Sequence, residues 1–329
     1  MDEDMGIRIT VNSSDIDFTQ AARLLGRNGI RRNAEDVRKA FENSAYAVYA
    51  VDGNTVAAVG RALSDRRAWT LVTDVAVLPG YERTGEALLE QILANFRGHE
   101  LFAYSGYENI PLFEAHGFRR SKNSFTYAGP DDRAIDPALL AGGYFLPVGY
   151  RFETEFAADP GKFPVGRKST MDRSALQLRY TQTTEGLDFA RLNEVLELAF
   201  GGRKRDTEAT RETFTNSPYT SFAFDGEKLV ACARAESDGV AQGFILNVAV
   251  DPEYQGLHLG TEVIDRLAAQ MKGQNIFLNT HPGGVGFYNR KGFRRNKTAL
   301  LYPAHPDMPA EAAKGFVLPK GYRFADEIR

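Results

Sequence analysis

From Asn247 the chain reads NVAVDPEYQGLHLGTEVIDRL. This pattern predicts a strand, a short glycine-containing turn and a helix beginning near Gly260. Such a helix start presents N–H groups that have no intrahelical acceptor, at the positive end of the helix dipole, which suits a phosphate or pyrophosphate. The segment from Gln255 to Thr261 contains no acid, and Thr261 adds a hydroxyl donor. A plain connection that needs Gly260 for its turn is the competing reading, because a lone glycine motif is a weak signal.

A strand, a turn and a helix must hold those residues in place, and the chain supplies that set twice. FENSAYAVYAVDGNTVAAVGRALSD, starting at Phe41, reappears as FTNSPYTSFAFDGEKLVACARAESD from Phe214, an offset of 173. The match runs ungapped to VAVLPGY from Val75 against VAVDPEY from Val248. GFRRSK from Gly117 then matches GFRRNK from Gly292 at an offset of 175, and LPVGYRF from Leu146 matches LPKGYRF from Leu318 at 172. Three anchors in the same order define a tandem duplication, with copies at residues 1–156 and 176–329. Residues 157–175 are rich in proline, glycine and charge and read as a linker, with an ordered strap across both copies as the alternative.

Each copy opens with a short strand (from Ile7 and from Leu176), followed by a helix; in the second copy Leu192, Val195, Leu196 and Ala199 recur at helical spacing. Runs around Asp52-Gly53 and Asp225-Gly226 predict hairpins. After the VAV strand comes an amphipathic helix, carried by Leu88, Leu89, Ile92, Leu93 and Phe96 in one copy and by Val263, Ile264, Leu267, Ala268 and Met271 in the other. A last strand, a short helix and GFRR close the unit. The predicted class is α+β: two tandem units, each a mixed, mostly antiparallel sheet flanked by helices.

A length of 329 residues fits two domains of about 150, and 43% hydrophobic with 25% charged residues is the composition of a soluble globular chain. The net charge of −3 gives no bulk drive toward nucleic acid or acidic membranes. A single cysteine, Cys232, excludes an intrachain disulfide and a multi-cysteine zinc site, and no metal is expected. No apolar run approaches the roughly 18 residues of a membrane helix, and the acidic start MDEDMGIRIT is unlike a signal peptide. A cytoplasmic monomer or homodimer is expected. GRKRD from Gly202 and the two GFRR segments are small basic clusters that read as solvated surface.

The run V-A-V-D-P-E-Y-Q-G-L-H-L-G, followed by a helix and by F-Y-N-R-K-G-F, resembles the GNAT acyltransferase superfamily. The resemblance covers nearly the whole chain, once per copy. It implies an acyl-CoA donor, usually acetyl-CoA, with its pyrophosphate on the loop amides and its pantetheine arm between two splayed strands. The acyl group goes to a primary amine, here expected to belong to a small molecule. Residue by residue, Gln255 takes the first motif position and Gly260 the last. Gly256, Leu257, His258, Leu259 and Thr261 complete the donor loop, although His258 replaces the family's middle glycine. Val248, Ala249 and Val250 form the strand edge for pantetheine, with Asn279 at the end of the last strand. Tyr288 occupies the position of the acid that protonates the departing thiolate. A phenol with pKa near 10 suits that task.

The first copy departs from this pattern in three ways. Its spacing from Pro79 to Gly85 is two residues shorter than that from Pro252 to Gly260. It carries Glu82 and Glu86 where a pyrophosphate would sit, and Phe113 stands where the second copy has Tyr288. The first copy is therefore expected to be a structural lobe. Asp74, which aligns with Asn247, is nevertheless the better base of that pair, since an asparagine holds a water but accepts no proton. Glu236 and Asp238 in a turn, and His281 beside the last strand, are the other candidate bases, with solvated turn residues as the plainer reading. Two alternatives to the enzyme remain: a non-catalytic acyl-CoA sensor, and a transferase of the same fold that draws on aminoacyl-tRNA.

Overall fold

In the computed structural model, residues 6–127, 142–147, 150, 152, 169–202, 204–302 and 316–325 are described. The first half runs β1 (Ile7–Thr10), α1 (Phe18–Arg27), α2 (Ala34–Glu42), β2 (Tyr46–Asp52), β3 (Thr55–Ser64) and β4 (Trp69–Val77). Asp17 starts α1 by accepting from the N–H groups of Thr19 and Gln20, and Asn33 does the same for α2 through Asp36. The β2–β3 turn passes through Gly53 at φ +55, where a side chain would be strained. α3 (Glu82–Asn95) then crosses to β5 (Glu100–Tyr104), which pairs parallel to β4; a parallel neighbour needs such a crossover. α4 (Ile110–Ala115), β6 (Arg119–Arg120) and β7 (Ser124–Tyr127) follow.

The second half repeats the order: β8 (Leu178–Thr181), α5 (Phe189–Ala199), α6 (Thr207–Asn216), β9 (Tyr219–Asp225), β10 (Lys228–Ser237) and β11 (Gln242–Val250). α7 (Leu259–Gln270), β12 (Asn275–Asn279), α8 (Val285–Arg290), β13 (Phe293–Arg295) and β14 (Ala299–Tyr302) complete it. The result is the α+β class the sequence predicts, with two seven-stranded, mostly antiparallel sheets.

The sheets are closed by exchange. Their strand orders are β1-β2-β3-β4-β5-β14-β6 and β8-β9-β10-β11-β12-β7-β13. β14 lies between β5 and β6 of the first half, and β7 lies between β12 and β13 of the second. The sequence predicts units that close on their own GFRR segments; each of those short strands instead joins its sheet through a strand of the other copy. Alternation of side chains fixes which face of a strand is buried, not which neighbour it takes. Phe125 on β7 and Leu300 on β14 are both fully buried by the exchange.

Apolar packing reinforces it. Phe102, Tyr104 and Leu301 form one core with Phe244, Leu246 and Phe277, and the Tyr104 and Phe277 rings stack at 4.1 Å. The repeated segments meet as well: Leu146, Phe152 and Tyr150 pack with Leu318, Phe324 and Tyr322. Two ion pairs cross the boundary, Arg61–Asp238 and Arg234–Asp65, each at 2.7 Å and fully buried. The two pairs are equivalent under the 173-residue offset.

Candidate functional site

A β-bulge shapes each sheet. Pairing of β10 with β11 shifts register between Cys232 and Arg234, and opposite that shift Asn247 adopts φ +51. The first half repeats this at Asp74, φ +50, beside a shift between Val59 and Arg61. Bulges bend and twist the strand that carries them. Here β11 pairs with β12 only from Gln242 to Ile245, and residues 246–250 continue away from it. Of the predicted edge residues, Val248 and Val250 pack on the core beneath α7, whereas Ala249 faces the core of α5 and offers only its backbone.

The loop after β11 is pinned at both ends. Asp251 accepts from the N–H of Glu253 and pairs with Arg191, and the Tyr254 hydroxyl donates to Asp225 at 3.1 Å. Gln255, Gly256, Leu257 and His258 then lead into α7, whose first helical hydrogen bond runs from Glu262 N–H to the carbonyl of His258. The N–H groups of His258, Leu259, Gly260 and Thr261 consequently have no intrahelical acceptor. His258 is exposed at φ +66, the conformation that explains why a glycine suits this position; histidine tolerates it at a cost of about 1 kcal/mol. A Cβ on Gly260 would lie 3.3 Å from Val250, so the helix start sits close against the strand edge. The Gln255 side chain donates to the Val250 carbonyl at 3.3 Å.

The first half treats the same place differently. Its anchor is equivalent, with the Tyr81 hydroxyl donating to Asp52 at 2.9 Å, but Tyr81 is already the N-cap of α3. No loop of amides intervenes. The Glu82 carboxylate accepts from the N–H of Gly80 at 2.9 Å, and this backbone bond holds it below the usual carboxylate range.

The strand edges differ too. Asn109, 7% exposed at the start of α4, donates its amide to the carbonyl of Val75 at 2.8 Å. The equivalent of Val75 is Val248, and the equivalent of Asn109 is Gly284. Gly284 has no side chain to offer, and a Cβ there would meet the Thr280 hydroxyl at 2.3 Å. The sequence reading overlooked this pair, although the 175-residue offset aligns Asn109 with Gly284 directly.

The candidate proton-transfer groups fall into distinct settings. Tyr288 is 7% exposed and wedged among Phe125, Phe287 and Phe293, and burial raises its phenol above the usual range. Phe125 belongs to the exchanged strand, so the first copy forms one wall of this tyrosine's pocket. His281 lies nearby in sequence, and burial lowers its imidazole. The Asn279 side chain donates to Ser121 and Ser124 of the first copy, and Asn247 accepts from Arg234 at 2.6 Å. Asp74 is not a free base: burial pushes its carboxyl up, but Arg32 and Arg61 outweigh that and hold it at about 2. Nor are Glu236 and Asp238 solvated turn residues. Glu236 is buried against Arg234 and Ser217. Asp238 caps the turn through the N–H groups of Val240, Ala241 and Gln242 while pairing with Arg61. Among the described residues, no group of three or more His, Cys, Asp or Glu is placed to hold a metal. No helix there is long and apolar enough to cross a membrane.

A parallel strand pair that splays at a bulge, beside a helix start whose amides lack intrahelical acceptors, is an α+β arrangement suited to a phosphate-bearing ligand. Comparisons with known proteins specify the class. The model of the acetyltransferase (GNAT) family matches residues 189–293. GCN5-related N-acetyltransferase 1, chloroplastic, of Arabidopsis thaliana is 34% identical over 148 residues, covering 43% of this chain and 73% of that protein. Serotonin N-acetyltransferase 2, chloroplastic, of Oryza sativa subsp. japonica is 36% identical over 126 residues, covering 36% of this chain and 62% of the relative, less than two thirds of its length. Among solved structures, a tandem GNAT protein from the clavulanic acid biosynthesis pathway is 17% identical, covering 90% of this chain and 98% of its own, with a TM-score of 0.48. The chain belongs to the GCN5-related N-acetyltransferase (GNAT) family, whose donor is acetyl-CoA.

Proposed function

We propose that the chain transfers an acetyl group from acetyl-CoA to the primary amine of a small molecule, at a site in the C-terminal copy (residues 176–329). The N-terminal copy (residues 1–156) serves as a structural lobe. One observation carries this reading: the strand-edge carbonyl that faces a glycine in the C-terminal copy is taken by the chain's own side chain in the N-terminal one. Asn109 donates to the Val75 carbonyl, whereas the residue equivalent to Asn109 beside Val248 is Gly284. In the C-terminal copy the amides of Gly256 and of His258 to Thr261 hold the pyrophosphate, with Gln255 bracing the loop, while Val248 and Val250 pair with the pantetheine arm.

In the reaction the amine nitrogen attacks the thioester carbonyl, a C–N bond forms and the C–S bond breaks. Tyr288 gives its hydroxyl proton to the departing sulfur, and the proton lost by the amine returns through water. Asn247 serves by its backbone, since the bulge it sets opens the strand edge. The amine class is supported by the printed name of the rice relative, a serotonin N-acetyltransferase. The test is thiol release from acetyl-CoA with a panel of primary amines that includes serotonin. Amine-dependent release supports the reading. CoA binding without release from any amine favours a sensor, and retention on tRNA without CoA binding favours the aminoacyl-tRNA alternative.

A further inference from the structure

The end of the segment between the two copies lies on the donor loop. Ser169 donates its N–H to the carbonyl of Gln255 at 2.7 Å, and Met171 packs on the core beneath β11 and α7. Asp172 accepts from the N–H of Ser174 and so sets a single turn at Arg173–Ala175. That turn aims the Arg173 guanidinium at the loop, where it donates to the Leu257 carbonyl and, at 2.5 Å, to the Glu262 carboxylate.

Glu262 is the acid in the first turn of α7, next to Thr261. A carboxylate there stabilises the helix start by opposing its dipole. It also puts a negative charge beside the amides on which a pyrophosphate would sit. The N-terminal copy has Ala87 at the equivalent position. The acid that Arg173 meets is therefore found in the copy whose loop is open and is an alanine in the other.

We infer that Arg173 is a positioning residue for the phosphates of the donor: it neutralises Glu262, so that the start of α7 keeps its helix-stabilising acid and still accepts an anion. The inference rests on the proposed donor site and adds to it a residue from outside both sheets. The pair is about one third exposed, with side chains 36% and 30% accessible, so solvent screens it and the effect is modest.

The test is calorimetry on the full chain with CoA and with S-acetylpantetheine, which lacks the phosphates. Arg173→Gln should weaken CoA binding about five- to tenfold at low salt, with the gap to wild type narrowing as salt rises. Binding of S-acetylpantetheine should not change. Glu262→Gln added to Arg173→Gln should recover most of the loss, and Arg173→Lys should keep most of the affinity. Unchanged CoA affinity in Arg173→Gln, an equal loss for both ligands, or no recovery in the double variant would each overturn the inference. Wild-type protein that binds no CoA would overturn the donor site itself.

Discussion

The side-chain amide of Asn109 rests on the backbone carbonyl of Val75 at 2.8 Å, in the groove where β4 departs from β5. Under the proposed function, the N-terminal copy thereby supplies from within the contact that a pantetheine arm would make at Val248 of the C-terminal copy. Thr280→Ser combined with Gly284→Asn moves the Ser105 and Asn109 arrangement into the C-terminal copy, the smaller serine being the residue that Asn109 coexists with. CoA affinity should fall at least about tenfold, roughly the worth of one well-placed hydrogen-bonded contact. Calorimetry checks it, with a melting curve to show that the fold is kept.

Thr261, in the first turn of α7, and Glu86, in the second turn of α3, are equivalent positions. Thr261→Glu should lower CoA affinity by adding a charge beside the pyrophosphate, while Glu86→Thr should leave it within about twofold. Gly85 makes a poor control, because a Cβ there would lie 2.5 Å from Val77. Equal losses in the two variants would show that both copies bind the donor.

Tyr288→Phe removes one hydroxyl and keeps the ring among Phe125, Phe287 and Phe293. With an amine acceptor in hand, kcat should drop about 10²–10⁴-fold with little change in donor affinity, since general acid catalysis acts in the transition state. Burial raises the phenol, so it stays protonated as the pH approaches 10. The alkaline side of the rate profile should therefore show no fall from Tyr288 below that pH. A wild-type kcat in the variant, with chemistry rate-limiting, would make Tyr288 a packing residue.

The crossed ion pairs Arg61–Asp238 and Arg234–Asp65 should matter for stability. Asp238→Asn keeps the turn-capping oxygen but leaves a buried guanidinium short of a charge, and should cost about 3 kcal/mol in urea unfolding. Asp65→Asn should cost a similar amount, because it is the same contact seen from the other copy. Asp74 adds a pH dependence. Its folded pKa of about 2 lies below the ordinary 3.8, so its contribution is full above 3.8 and fades as the pH falls through 2. Asp74→Asn should flatten the acid limb of the stability curve.

Deletion of residues 316–329 removes Leu318, Tyr322 and Phe324 from their contacts with Leu146, Tyr150 and Phe152. It also removes the hydrogen bond from Leu318 N–H to the Arg120 carbonyl. The exposed apolar faces should lower the melting temperature and promote aggregation, as light scattering during a thermal ramp would show. An unchanged melting curve would mean that this cluster contributes little.

The duplication, the α+β class, the amide loop and the shortened turn of the first copy were legible because each is written in local order. A strand, a turn and a helix start follow from residue spacing, and two copies compared position by position expose a two-residue loss between Tyr81 and Gly85. The family resemblance was legible for the same reason, through a contiguous motif. What the linear order does not carry is which edges and charges meet. β7 (SFTY) and β14 (ALLY) are short strands whose residues name no neighbour, and only closure of both sheets together puts each in the other's copy. Glu236 and Asp238 look like solvated turn residues until packing lays Arg61 of the first copy on Asp238 and buried Arg234 on Glu236, and Asp74 looks like a base until Arg32, Arg61 and Gln242 claim its oxygens. Arg173 is one of many charges in a linker, and Asn109 one polar residue before a short helix. Their roles depend on distances of about 3 Å between residues 34 to 89 positions apart, and such distances are fixed by packing the whole chain, since burial and charge pairing act through space and not along the sequence.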